Sequence, residues 1–152
     1  PFDIYGDALE AAMVLSFVGE GIPLIYNGQE AGNTKRLEFF EKDTIHWGDY
    51  SLSDFYTKLL KLNVDNPALW NGNFRGDYER LTTNSDEHIY AFVRTKDEHQ
   101  VVVVCNLSDA KYDLEIENLP NGNFTSLFDA TSIDDLRGGM TLEPYQYLVF
   151  SK

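Results

Sequence analysis

A single cysteine, Cys105, is all that 152 residues contain. An intrachain disulfide and any cysteine-based metal site are thereby excluded. Cys105 follows the run Val101–Val104, so it reads as a small buried hydrophobe and not as a nucleophile. Histidine is nearly as scarce. The three histidines stand in "HW", "HI" and "HQ", without metal-ligand spacing. There is no P-loop and no G-x-G-x-x-G after a strand, so neither a metal nor a cofactor is expected. No apolar run approaches the roughly 20 residues of a membrane-spanning helix, and no signal-peptide pattern is visible. The chain opens on Pro1 without a methionine, as an excised piece would, which leaves the compartment open. Basic residues are few: 12 against 25 acidic ones, a net charge of −13. That field repels phosphate backbones and anionic membrane surfaces, so neither nucleic acid nor a membrane is an expected partner. The acids are spread along the chain and read as a solvated surface.

Apolar residues make up 43% of the chain and aromatics 14%, enough for a packed core in one domain or two small ones. In "YGDALEAAMVLSFVGEG" the residues Ala8, Ala11, Ala12, Leu15 and Val18 recur at helical spacing, and Met13, Val14 and Phe17 widen the apolar face. The spacing predicts a mostly buried helix over 5–18 that Gly19 or Gly21 terminates. "GIPLIYNGQE" follows. Its apolar run 22–26 has no alternation and is bounded by Gly21 and Asn27–Gly28, which predicts a strand buried on both faces, as in a parallel sheet. Residues 27–50 read as loop. Ser51 and Asp54 suggest a capping box for a second helix, striped by Leu52, Phe55, Tyr56, Leu59, Leu60 and Leu62 and broken at Pro67. Beyond Trp70 the period changes to two. Seven short β-branched or aromatic segments, with turns between them, predict an antiparallel sandwich or barrel. The boundary falls near residues 65–73.

The segments "GIPLIYNGQEAG" (21–32), "FFEKDTIHW" (39–47) and "SDFYTKLLKLNVDNPALWNGNF" (53–74) together resemble the end of a glycoside hydrolase of the α-amylase superfamily. There the last barrel strand typically reads G-x-P-x-x-Y-x-G-x-E. An alanine-rich helix precedes it, and a loop ending in I-x-W follows. Next come a leucine-striped helix running into P-A-L and a Greek-key β-sandwich, domain C. The resemblance implies an α+β chain: residues 1–68 as a helix–strand–helix remnant of a (β/α)8 barrel, residues 69–152 as the antiparallel sandwich. Asn63 departs from the arginine common in the family.

The family cleaves or transfers α-glucosidic bonds with retention, using a nucleophilic carboxylate and an acid/base carboxylic acid about 5–5.5 Å apart. By the resemblance, the nucleophile, the acid/base and a third stabilising Asp precede strand eight, and the chain begins after strand seven. No catalytic residue is therefore assigned. The chain alone is expected to be inactive, and an α-glucan or maltooligosaccharide is the substrate of the parent enzyme. Gln29, Glu30 and Arg36 are the candidate site residues, because a barrel strand's C-terminal end faces the active site. Gln29 and Glu30 either line the sugar site or hold neighbouring catalytic-face residues by hydrogen bonds, or have a structural role in which Glu30 pairs with Arg36 or satisfies loop amides. Arg36 either reaches a sugar hydroxyl or forms a loop ion pair. Trp47 and Trp70 read as packing residues before stacking platforms. "NLS" (106–108) and "NFT" (123–125) match the glycan-acceptor pattern. A self-standing carbohydrate-binding or interaction module is the alternative function. Because strand 22–26 lacks neighbours in this chain, self-association through residues 1–64 is expected.

Overall fold

The computed structural model describes residues 2–152. Eight strands follow Trp70: β1 (Asp77–Leu81), β2 (Ile89–Lys96), β3 (His99–Asn106), β4 (Tyr112–Leu114), β5 (Phe124–Ser126), β6 (Ser132–Ile133), β7 (Met140–Leu142) and β8 (Tyr147–Ser151). Six of them form one antiparallel sheet in the order β1-β2-β3-β8-β5-β6, and β4 pairs with β7 in a separate ribbon. β2 and β3 are joined at a two-residue turn, with Lys96 opposite His99 and Asp97 at φ 53°. The sequence predicts seven of these strands. It misses β6, whose two residues are too short to show a period.

β3 sits in the middle of the sheet and is buried on both faces. Val101, Val103 and Cys105 look one way and Val102 and Val104 the other. That explains the unbroken "VVVVC": where both faces of a strand are covered, alternation is not selected. On one face, Val102, Val104, Ala91 and Phe150 pack against Leu114 and Leu142 of the ribbon. On the other lie two helices, α2 (Leu9–Val18) and α3 (Ser53–Asp65); a short helix, α1 (Phe2–Tyr5), precedes them. Val14, Phe17, Tyr56, Leu59 and Leu62 share a core with Phe92, Val101, Val103, Cys105 and Val149. Burying each such side chain contributes about 1.5–3 kcal/mol.

Polar ties fasten the same interface. Asn63 Nδ2 donates to Phe17 O at 2.8 Å, joining α3 to the end of α2. The Tyr147 hydroxyl donates to Glu10 Oε2 at 2.6 Å, and Lys58 Nζ to Phe128 O at 2.8 Å. Asn66, which ends α3, donates to Lys152 O at 3.3 Å. The helices are thus a layer on the sheet, and their main apolar faces are covered within the chain.

Four local expectations are corrected. Residues 22–26 form no strand: no ladder includes them, and Ile22, Leu24 and Tyr26 are 89%, 79% and 66% exposed. An apolar run becomes a buried strand only when other strands pair with it, and among the described residues none does. The Ser51–Asp54 capping box does not form. The N-cap of α3 falls one residue further on, at Leu52, with no side-chain cap, and the Ser51 N–H donates to Asp49 Oδ1 at 3.1 Å. Leu60 points to solvent, outside the buried stripe. The first helix is interrupted by a 3-10 turn at Gly6–Ala8, where Gly6 adopts φ 49°.

Candidate functional site

The polar end of the segment 22–30 is a compact turn. The Gln29 N–H donates to Tyr26 O at 2.9 Å, and the Gln29 side-chain oxygen accepts from the Tyr26 N–H at 3.0 Å. Gly32 N–H donates to Gln29 O and Asn33 N–H to Gly28 O, both at 3.1 Å. Gly28 is required here on two counts. Its φ is 88°, and a Cβ would lie 2.5 Å from the Ile45 side chain. Leu52 N–H donates to Glu30 O at 3.2 Å, which ties the turn to the start of α3.

The three candidate residues do not all converge: Gln29 and Glu30 both lie near the Tyr56 hydroxyl, and Arg36 stands apart from Glu30. Gln29 and Arg36 line one pocket of about 250 Å³ with Tyr26, Asn33, Lys35 and Leu37. Glu30 lines another, of about 450 Å³, with Ile25, Asn27, Ser53, Tyr56 and Thr57. Glu30 Oε2 is buried there and accepts no hydrogen bond from the described residues, and the Tyr56 hydroxyl in the same pocket also lacks a partner. Burial pushes the Tyr56 phenol up to about 12; the Gln29 side chain beside it opposes the shift, and the nearby Glu30 charge adds to it. The expected Glu30–Arg36 pair is not formed, and Arg36 is exposed. Lys35 and Asp43 make the ion pair of this loop instead. Asp43 also accepts from the N–H groups of Glu38 (3.1 Å) and Thr44 (2.7 Å). These partners, Lys35 first, hold its carboxyl at about 2. The loop they close carries Phe39 and Phe40, packed edge-to-face at 4.7 Å and almost wholly exposed.

The two tryptophans are half-exposed. Trp47 stacks on Tyr50 at 6.1 Å. Trp70 donates its indole N–H to Val64 O at 3.2 Å and takes the Lys96 ammonium over its ring at 5.0 Å. Asn106 of "NLS" is fully buried, which rules it out as a glycan acceptor. Cys105 is buried as expected, and burial pushes its thiol up to about 12, far from a reactive thiolate. Among the described residues no three His, Cys, Asp or Glu side chains gather to hold a metal.

Sequence reasoning overlooks Arg94. It lies on β2, in phase with Tyr90 and Phe92, and is fully buried on the helix side of the sheet. Its Nη1 donates to Gly19 O at 2.7 Å and its Nη2 to Trp70 O at 3.1 Å. Burial lowers its pKa, and the Glu20 charge opposes the shift. The signal was present: in "YAFVRT" the arginine falls on an apolar phase.

Two helices seated on one face of an antiparallel sheet, with a polar turn in the segment between them, make a helical unit packed onto a C-terminal β-sandwich. Residues 79–149 match the family described as maltogenic amylase, C-terminal domain. An α-amylase of Dictyoglomus thermophilum is 32% identical over 133 residues, covering 79% of this chain and 22% of that protein. An amylopullulanase of Thermoanaerobacter thermohydrosulfuricus is 32% identical over 122 residues, covering 72% of this chain and 8% of that protein. Among solved structures, a maltogenic α-amylase of Thermotoga neapolitana superimposes with a TM-score of 0.77 at 15% identity, over 96% of this chain and 36% of that one. The chain matches the C-terminal region of α-amylase family members, and it spans about a fifth of the length of the D. thermophilum relative.

Proposed function

We propose that this chain is the closing part of a glycoside hydrolase acting on α-glucans such as maltooligosaccharides. In this reading residues 1–68 complete the catalytic barrel, and residues 69–152 form the sandwich that holds them in place. The observation that carries it is the 32% identity to an α-amylase over 133 residues, an alignment reaching well beyond the residues of the sandwich match. The retaining chemistry needs two carboxylates about 5–5.5 Å apart, and the residues assigned to that work in the family lie outside this chain. The part played here is to support the substrate side. Gln29 and Arg36, which share a pocket, face the sugar. Glu30, with an oxygen left without a partner in its own pocket, receives a donor from the rest of the barrel. The exposed Ile22, Leu24 and Tyr26 are the surface on which neighbouring barrel strands pair; in their absence two copies of the chain associate there.

The test is an assay of the longer polypeptide encoded with this region on maltodextrins, with the anomeric configuration of the product followed by NMR. Release of α-anomeric sugar supports the reading. A polypeptide that binds glucan without cleaving it makes the region part of a binding protein and overturns it.

A further inference from the structure

The segment that leads to Gln29 and Glu30 is not held by a sheet, yet its start is held at three points by groups on the far side of the residue-68 junction. Arg94 reaches through the helix-facing core to the Gly19 carbonyl, and its other terminal nitrogen holds the Trp70 carbonyl. Asn71 then makes a reciprocal pair with Gly21: the Gly21 N–H donates to Asn71 Oδ1 at 3.1 Å, and Asn71 Nδ2 donates to Gly21 O at 2.7 Å. The same Nδ2 donates to Leu69 O at 3.1 Å, which fixes the amide's orientation. Carbonyls at the end of a helix carry partial negative charge, so the Arg94 guanidinium at Gly19 suits the last turn of α2. Hydrogen bonds to charged groups are also the stronger class. A buried arginine without a carboxylate partner is costly to place, so its position calls for more than packing.

We infer that Arg94 and Asn71 are positioning residues. Through them the β-sandwich sets where the segment 20–26 begins, and hence where the turn carrying Gln29 and Glu30 lies. Between Gly21 and Tyr26 the backbone makes no ladder bonds, and it enters the turn at the Tyr26 N–H, which donates to Gln29 Oε1. Between these ends Ile25 packs against the helix-side core, and Leu52 N–H to Glu30 O holds the far side of the turn, so the clamp at Gly21 is the near-side anchor of a short span fixed at both ends. The catalytic meaning of this clamp rests on the glucan-hydrolase reading; its mechanical part does not.

Hydrogen exchange followed residue by residue in the chain itself tests it. Asn71→Ala removes both bonds to Gly21 and the bond to Leu69 O, and leaves every apolar core side chain in place. The expected result is at least tenfold faster exchange of the Gly21 amide and of the turn amides Tyr26, Gln29 and Gly32, with Val102 and Val103 unchanged. Arg94→Met gives the same local pattern, and Arg94→Lys, which keeps a donor, restores part of the protection. Turn amides that exchange as in the wild type overturn the inference. So does a loss of protection spread evenly over β2 and β3, which would make both residues simple stabilisers. The readout needs no catalysis, so it fails independently of the glucan reading.

Discussion

Replacing Asn106 by alanine tests how the sandwich is fastened at its ribbon end. Asn106 ends β3 and is fully buried. Its Nδ2 donates to Ala110 O at 2.6 Å and Glu143 O at 2.9 Å; its Oδ1 accepts from the Ser108 N–H and hydroxyl, both at 3.0 Å. One side chain thus joins the loop after β3 to the loop before β8. A net hydrogen bond is worth about 1 kcal/mol, and an orphaned buried carbonyl costs more. Ser108 is partly exposed and can turn to water, so the loss for Asn106→Ala is about 2–4 kcal/mol. At this chain length that lowers Tm by about 5–15 °C. Asn106→Asp keeps the shape but turns a carboxylate onto two carbonyl oxygens. Its folded-state pKa then rises above the unfolded value of about 3.9. A raised carboxyl pKa means a penalty absent below about pH 4 that grows as pH rises. Urea unfolding of the wild type and both variants at pH 4 and pH 7 reads these differences. An alanine variant within about 0.5 kcal/mol of wild type, or an aspartate deficit equal at both pH values, would refute the reasoning. Expression in a glycosylating host adds a check: Asn106 stays bare, and only the exposed Asn123 can carry a glycan.

Other expectations follow from single contacts. Gly76→Ala puts a Cβ 2.2 Å from Ala68 O, against backbone that cannot give way, and destabilises by about 3 kcal/mol in chemical unfolding. An NMR titration of Asp43 has its midpoint near 2; the contribution of this lowered carboxyl is present above about pH 4 and is lost as pH falls through 2, opening the loop 35–44. A midpoint near 4 would mean that Lys35 and the two backbone N–H groups do not hold it. The purified chain releases no sugar from starch or maltodextrin, and turnover abolished by Glu30→Gln would contradict the proposed supporting role of Glu30.

The change of period after Trp70 made the β-domain legible, because each strand there has a partner within the chain. The segment 22–26 shows the converse. Its composition is that of a doubly covered strand, as "VVVVC" is, but composition records only what a strand requires. Pairing decides whether the requirement is met, and none of the described residues pairs with it. The motif around Gly28 and Glu30 was readable as an end of such a strand. That Gln29 and Glu30 open into different pockets was not, because adjacent residues in a tight turn diverge according to dihedrals that no local pattern states. The ion pair of Asp43 with Lys35 in place of Glu30 with Arg36 is of the same kind: several acids and bases lie within reach, and the backbone N–H groups that Asp43 also satisfies decide the choice. Arg94 was missed because a charged residue on a strand is usually read as the exposed phase, although its neighbours Tyr90 and Phe92 mark the phase as internal.

The six-stranded sheet seats α2 and α3 so that sheet and helices form one cooperative body. Differential scanning calorimetry, with circular dichroism followed in parallel, tests this most directly. One transition is expected, with calorimetric and van't Hoff enthalpies equal at about 100 kcal/mol for a chain of this size and helical signal lost together with the sheet. Two transitions, the first removing the helical signal while the sheet survives, would contradict it.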